Sequence, residues 1–257
     1  MRENPTIKVI YTIILSILGG TFVANHVLYQ HSTLGTLMAG ALEGTATIDE
    51  LLQQGDHGIG TLEGGDGEVI FIDGKAFHSN AKDGKVVPLT GSEKSPYATV
   101  TKYDPETFFK TEGATIDELY DTIRSKMLSE NLFSVVKVKG AFKHMKMRIL
   151  PKQEPPYTRL IESARKQPEF ERDNVDGTIV AIFTPEIYHG IGTAGFHAHF
   201  MSDDGTFMGH ILDFEIEHGE IGIQNCHIYE QHLPTDPTYL NKKLDYNDIA
   251  NDITEAE

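Results

Sequence analysis

Between Gly195 and Met201 the chain alternates strictly: Phe196, Ala198 and Phe200 are apolar, and His197 and His199 fall between them. Residues two apart on a strand share a face, so this pattern predicts a half-buried strand with both histidines on one side. Thr178 to Phe183, Phe207 to Glu217 and Glu220 to Tyr229 read as further strands. Leu132 to Lys139 and Ala141 to Ile149 read as a strand pair, and Glu68 to Ile72 with Lys75 to Ser79 as a hairpin around Asp73-Gly74. Leu34 to Leu42 and Tyr157 to Gln167 have helical character. Thr47-Ile-Asp-Glu50 and Thr115-Ile-Asp-Glu118 each open a helix, because a threonine followed three residues later by glutamate satisfies free backbone N–H groups reciprocally. Asp245 to Glu257 is polar and acidic, and reads as one helical turn and a tail. The sum is an α+β protein, richest in strand in its second half.

The histidine pair gains meaning from the residues C-terminal to it. Asp204-Gly205 is a turn signal, and a turn centred there pairs Thr206 with Asp203, Met208 with Met201, and His210 with His199. Directly opposed residues share a face, with Cβ atoms about 4.5–5.5 Å apart. His197, His199 and His210 therefore converge on one patch of a β-hairpin in the C-terminal half. Three imidazoles can meet one zinc at about 2.0–2.1 Å and leave its fourth position open, as catalytic sites do. A one-residue slip would send His210 to the other face. Imidazole also suits other divalent ions, so the pattern alone does not name the metal.

Composition narrows the partners. The chain has 257 residues, with 22 basic and 38 acidic side chains and a net charge of −16. Such a surface repels phosphate backbones and excludes nucleic acid as a natural partner. An anionic substrate would need a local positive centre, such as a metal or an arginine. The single cysteine, Cys226, rules out an intrachain disulfide, and in a predicted strand it reads as buried. Arg2 and Lys8 precede an apolar run from Val9 to Ala24, shorter than the ~20 residues of a membrane-spanning helix. Residues 1 to 26 are set apart as an extension suited to export or membrane anchoring; without that role the chain would be cytoplasmic. Pro151, Pro155 and Pro156 mark a boundary between a β-rich subdomain, 27–150, and a metal-binding subdomain with a tail, 151–257.

Several long runs carry a family resemblance: YQHSTLGTLMAGALEGT, GIGTLEGGDGEVIFIDGKAF, NLFSVVKVKGAFKHMKMR, PPYTRLIESARKQPEF, GTIVAIFTPEIYHGIGTAGFHAHF and GHILDFEIE. From Leu28 to Glu257 the chain resembles the α-acetolactate decarboxylases. The resemblance implies two mixed β-sheet subdomains with peripheral helices, a homodimer, and zinc on His197, His199 and His210. It implies decarboxylation of 2-acetolactate to acetoin and CO2, a step of acetoin and butanediol biosynthesis. It also implies site roles for Arg148, Glu68 and Thr61, and for a glutamate of the C-terminal tail matching Glu257, with Glu255 as the alternative. On pattern alone these are ordinary: Arg148 ends a strand on a face with Phe142, His144 and Lys146, Glu68 begins a hairpin strand, and Thr61 is a loop hydroxyl. His57, in the glycine-rich GDHGIGT, reads as an exposed loop residue, and Gly58-x-Gly60 lacks the context of a dinucleotide loop.

The implied chemistry suits these groups. Loss of CO2 from acetolactate leaves charge on the neighbouring ketone oxygen as an enediolate, which zinc would stabilise as a Lewis acid. Arg148 could grip the departing carboxylate bidentately and relay a proton, and Glu68 could assist proton transfer. Two other classes fit a three-histidine centre. A cupin-like metal oxygenase would want a glutamate shortly after the pair, where Asp203 and Asp204 stand. A non-catalytic exported metal-binding protein would leave Arg148 and Glu68 without a role.

Overall fold

The computed structural model describes residues 26–256. The expected export or anchoring segment therefore lies, but for His26, outside the described residues. In chain order the elements are β1 (Val27–His31), α1 (Leu34–Met38), β2 (Ala46–Thr47), α2 (Ile48–Gln54), β3 (His57–Leu62), β4 (Asp66–Ile72), β5 (Lys75–Ser79), β6 (Val86–Pro88), β7 (Lys94–Ser95), β8 (Tyr97–Thr101) and β9 (Thr107–Thr115). Next come α3 (Ile116–Lys126), β10 (Phe133–Arg148), α4 (Ile161–Ala164), β11 (Glu169–Thr184), β12 (Gly195–Ser202), β13 (Met208–Cys226), β14 (Ile228–His232), α5 (Pro237–Asn241) and α6 (Ile249–Ala256). The fold is α+β, as the alternation patterns implied. No helix among the described residues is long and apolar enough to cross a membrane.

Two large sheets organise the chain. The first has seven strands in the order β14-β1-β8-β3-β4-β5-β6. The second runs β10-β11-β12-β13-β9, and β10 also pairs with β13, so β10 to β13 close into a small barrel. β13 is long enough to serve three neighbours. Its first residues pair with β12, its later ones with β9, and β10 follows its other edge. The expected division at 150/151 does not coincide with a change of sheet. β9 and β10 belong with the barrel, while β14 returns to the first sheet beside β1.

The local signals for turns and caps correspond to what forms. Thr47 and Thr115 each close a capping box with Glu50 and Glu118. Asp73 and Gly74 both take positive φ, which a two-residue hairpin turn of matching twist requires. Other boundaries differ. α1 stops at Met38, well short of Leu42, with Gly40 at φ +92 just beyond. Only Ile161–Ala164 is helical within 157–167. The C-terminal segment holds two full turns, as α6, where one was expected.

The main correction concerns strand length. Leu132–Lys139 and Ala141–Ile149 are not a pair but one strand, β10, and the two patterns from Phe207 to Tyr229 merge through Gly219 into β13, with β14 split off after Cys226. Gly140 and Gly219 fall in the gaps between the expected strands, yet neither has the positive φ of a turn glycine. They sit side by side with Gly177 across three strands. A Cβ at Gly140 would lie 2.2 Å from the His218 carbonyl oxygen, and one at Gly177 would lie 2.3 Å from the Phe200 ring. The glycine row marks a tight bend of the barrel wall, where neighbouring backbone leaves no room for a side chain. Register shifts near Lys143 and Lys146 alter the faces further. Phe142 consequently enters the core, while His144 and Lys146 face out and pair with Asp173 and Glu169.

Two of the four apolar clusters among the described residues lie on either side of the barrel wall. Val136, Val138, Phe142, Phe200 and Phe214 pack inside the barrel with Leu119 and Ile123 of α3. Leu28, Ile59 and Ile70 of the first sheet pack against Val135, Val180, Ile182 and Met208 on the barrel's outer wall. Residues alternate between these spaces along each barrel strand, so register decides which side chains face the first sheet. Gly140→Ala should destabilise the fold by about 2 kcal/mol or more, because the added methyl group meets backbone that cannot rotate away. A urea melt would show it, and a wild-type midpoint would refute the bend argument.

Candidate metal centre and its cavity

The hairpin expected around Asp204-Gly205 forms with the expected register. His199 pairs with His210, Phe200 with Gly209, and Met201 with Met208. The loop is wider than two residues: Ser202 still pairs with Phe207, through a bond from the Ser202 N–H to the Phe207 carbonyl, and Gly205 takes φ +64. Asp204 holds the loop by accepting from Ser202 Oγ and from the Thr206 hydroxyl and N–H. Because the wider loop has the same midpoint, the pairing is unchanged.

β11 fixes the third histidine. His197 lies opposite Ile182 and His199 opposite Val180, two residues of the core between the sheets. The histidines thus face the first sheet, while Ala198 and Phe200 enter the barrel. The ligand nitrogens of His197, His199 and His210 lie within 4.8 Å of one another, close enough to share one cation. Burial, and secondly the Arg148 charge, lowers the His197 pKa to about 3. Burial is also the leading cause holding His199 well below the ordinary histidine value. His197 is half-buried as a residue, but its ring is surrounded closely enough for that effect. Neutral imidazole is the form a metal requires.

His199 has the orientation of a ligand. Its Nδ1 donates to the Val69 carbonyl at 2.8 Å, which leaves Nε2 as the lone-pair nitrogen. That Nε2 is buried, makes no hydrogen bond, and lies 3.3 Å from Glu68 Oε2. A buried lone pair without a donor is costly unless something else occupies its direction. The donor set and this orphaned nitrogen fit a divalent cation.

The other expected site residues gather around the histidines. Arg148 pairs with His210 across β10 and β13, is buried, and places Nη2 3.0 Å from His210 Nε2. Glu68 is buried rather than a solvated strand end, and its Oε1 accepts from the Leu150 N–H at 3.0 Å. Thr61 lies in β3 rather than a loop, is buried, and donates to the Gly67 carbonyl at 2.7 Å. All three line one cavity with the three histidines. Glu255 does not: it is exposed and forms a two-bond pair with Arg165. Glu257 lies outside the described residues. Ala256 is the tail residue that reaches the cavity lining.

The cavity has a second, apolar side that sequence patterns did not disclose. Leu34, Leu37, Tyr97, Leu150, Leu160 and Ala164 line it, from α1, β8, the stretch just after β10, and α4 with the residue before it. No motif joins these residues; only the general signal of amphipathic helices was available. His57 departs from its expected place in an exposed loop. It is buried in β3, within hydrogen-bond distance of Asp56 and Lys137, and stands apart from the cavity. Cys226 is buried, as expected, and burial pushes its thiol pKa up to about 12, so it is no nucleophile at neutral pH.

Residues 28–246 match the family model described as α-acetolactate decarboxylase. The chain is 45% identical to the α-acetolactate decarboxylase of Streptococcus thermophilus over 234 residues, covering 90% of this chain and 98% of the relative. A crystal structure of a Staphylococcus aureus protein, described as of unknown function and similar to α-acetolactate decarboxylase, superposes with a TM-score of 0.89. It is 53% identical and covers 90% of this chain and 100% of its own. The α-acetolactate decarboxylase of Bacillus subtilis strain 168 superposes with a TM-score of 0.86 at 33% identity, covering 90% of this chain and 99% of its own.

The three-histidine reading predicts a result that needs no substrate. His199→Ala should weaken zinc or cobalt binding by more than about 100-fold, beyond what losing an outer partner of a ligand costs. His57→Ala should bind as the wild type does. Equilibrium dialysis with metal analysis distinguishes them, and full metal retention in the His199 variant would remove this centre.

Proposed function

The chain belongs to the α-acetolactate decarboxylase family, and from that premise we propose that it decarboxylates 2-acetolactate to acetoin with zinc held by His197, His199 and His210. The observation that carries the reading is the convergence of three imidazoles, a buried arginine and a buried glutamate on one cavity with an apolar opposite side. A divalent ion bound there supplies a Lewis acid for the substrate's hydroxyl and ketone oxygens.

The protein groups divide the remaining work. Acetolactate carries its carboxylate on the carbon that bears the hydroxyl, next to a ketone. Arg148 binds that carboxylate and fixes the C–C bond to be broken relative to the ketone, so that its electron pair flows onto the ketone oxygen as CO2 leaves. A proton must then reach the carbon that lost CO2. Arg148 already faces that carbon and relays it, while Glu68 accepts from and returns to the substrate hydroxyl. Thr61, with its proton committed to the Gly67 carbonyl, offers oxygen lone pairs toward the substrate. The apolar wall receives the methyl groups. In this scheme Glu257 of the tail completes the proton-handling set.

The oxygenase reading gains nothing from the geometry. Asp203 pairs with Lys139 on the surface and Asp204 with its own turn, so neither supplies a carboxylate ligand. We also propose the homodimer, for which β14 and β6 form the two edges of the seven-stranded sheet among the described residues, and export or anchoring through residues 1 to 26, on the apolar run from Val9 to Ala24.

Purified protein should release acetoin from fresh racemic acetolactate, lose this activity to a chelator and regain it with zinc. No acetoin from folded, zinc-loaded protein would overturn the assignment. Arg148→Ala should lose about 10²–10³-fold in kcat while keeping its metal, as when one preorganised charge donor is removed. Undiminished turnover with full metal content would take the arginine out of the mechanism.

A further inference from the structure

α6 contributes Ala256 to the cavity lining, and α4 contributes Ala164 with Leu160 just before it. Both helices are short, of eight and four residues, and helices of that length do not hold themselves in place. Ile249 and Ile253 of α6 pack in the cluster that contains Leu34, Leu37 and Leu160. Two arginines link the helices, and Arg159 makes the more buried connection. Arg159 precedes α4, and its Nε donates to Asp252 Oδ2 at 3.0 Å, with Nη2 bonded to the same oxygen. Nη2 also donates to the Asn247 carbonyl at 2.7 Å, just before α6 begins.

A second ion pair on the same helix provides an internal contrast. Arg165 and Glu255 are 58% and 50% exposed, whereas Arg159 and Asp252 are 27% and 11% exposed. Exposed pairs contribute little. Breaking a largely buried one leaves a charge without water or partner, and the helix carrying it must move to recover solvent.

We infer that Arg159 is a positioning residue: through Asp252 and the Asn247 carbonyl it holds α6 against α4 and so sets the outer wall of the substrate cavity. The inference rests on the reading of that cavity as the acetolactate site. Arg159 acts through the wall and touches no reacting atom.

The test combines hydrogen exchange on the full chain with steady-state kinetics. In Arg159→Ala and Asp252→Asn, amide exchange across Ile249–Ala256 should accelerate roughly tenfold, equivalent to about 1.4 kcal/mol, while β10 to β13 keep wild-type protection. KM for acetolactate should rise severalfold, and by more than kcat falls. Arg159→Lys, which keeps the pair to Asp252, should recover most of both effects, and Arg165→Ala should show neither. Unaltered α6 exchange in the Arg159→Ala variant overturns the clamp, and faster exchange with an unchanged KM overturns its role in the cavity. Should Arg159→Ala loosen the barrel as well, the near-isosteric Asp252→Asn decides. If the wild type does not turn over acetolactate, the proposed activity falls, and removal of cobalt by dipicolinate replaces KM. Stripping roughly tenfold faster in Arg159→Ala then supports the wall, and equal rates overturn it.

Discussion

The pairing of His199 with His210 fixes more than two side chains. It sets which residues of β12 and β13 face the first sheet and which enter the barrel, because every side chain alternates. Met208, two residues before His210, packs between the sheets on the histidine side. Ala198 and Phe200, on either side of His199, fill the barrel. A slip of one residue would bury imidazole among aromatic rings and turn Phe200 toward Glu68. The hydrophobic cost of that exchange makes the register robust, and the three-histidine cluster inherits the robustness. The loop supports the register without dictating it, since a wider turn with the same midpoint serves as well.

Electrostatics depend on where this face lies. The protein carries −16 overall, yet the cavity holds the buried cation Arg148 and imidazoles that burial keeps neutral. Among the described residues, the buried carboxylate beside a divalent ion added there is Glu68. The cavity is thus suited to an anion although the surface repels one at long range. Screening confines that repulsion to about 8–10 Å at physiological salt, whereas charges inside the cavity act at close quarters with little water between them.

Much of this was legible in the chain, and what was not shares a physical cause. Short-range rules sufficed for the Asp73-Gly74 turn, the caps at Thr47 and Thr115, and the common face of His197, His199 and His210, because neighbours in sequence decide them. Long-range neighbours decided the rest. Gly140 and Gly219 stood in the gaps between expected strands, and only the neighbouring backbone of other strands shows why they lack side chains. Simple alternation puts Phe142 on the face of His144, because a bulge leaves no mark on the pattern. His57 and Thr61 looked like loop residues because glycines surround them. Gly58 and Gly60 instead permit close strand packing, where a Cβ would lie 2.1 Å and 2.7 Å from carbonyl oxygens of β8. The apolar cavity wall came from four segments with no common pattern.

The two sheets hold the site in a reciprocal way. His199 belongs to the barrel, and its ring is oriented by the Val69 carbonyl of the first sheet. Glu68 belongs to the first sheet, and its carboxylate is held by the Leu150 N–H, two residues beyond the barrel strand β10. Each half therefore aims a functional side chain of the other through its own backbone. Backbone groups do not change identity when residues are substituted, so this aim depends on the docking of the sheets rather than on particular side chains. Docking in turn depends on the apolar layer of Leu28, Ile59, Ile70, Val135, Val180 and Ile182. Hydrophobic burial is non-directional and cannot place a nitrogen within tenths of an ångström. Here it only brings two rigid sheets together, and the strand hydrogen bonds of each sheet convert that contact into the alignment the chemistry needs.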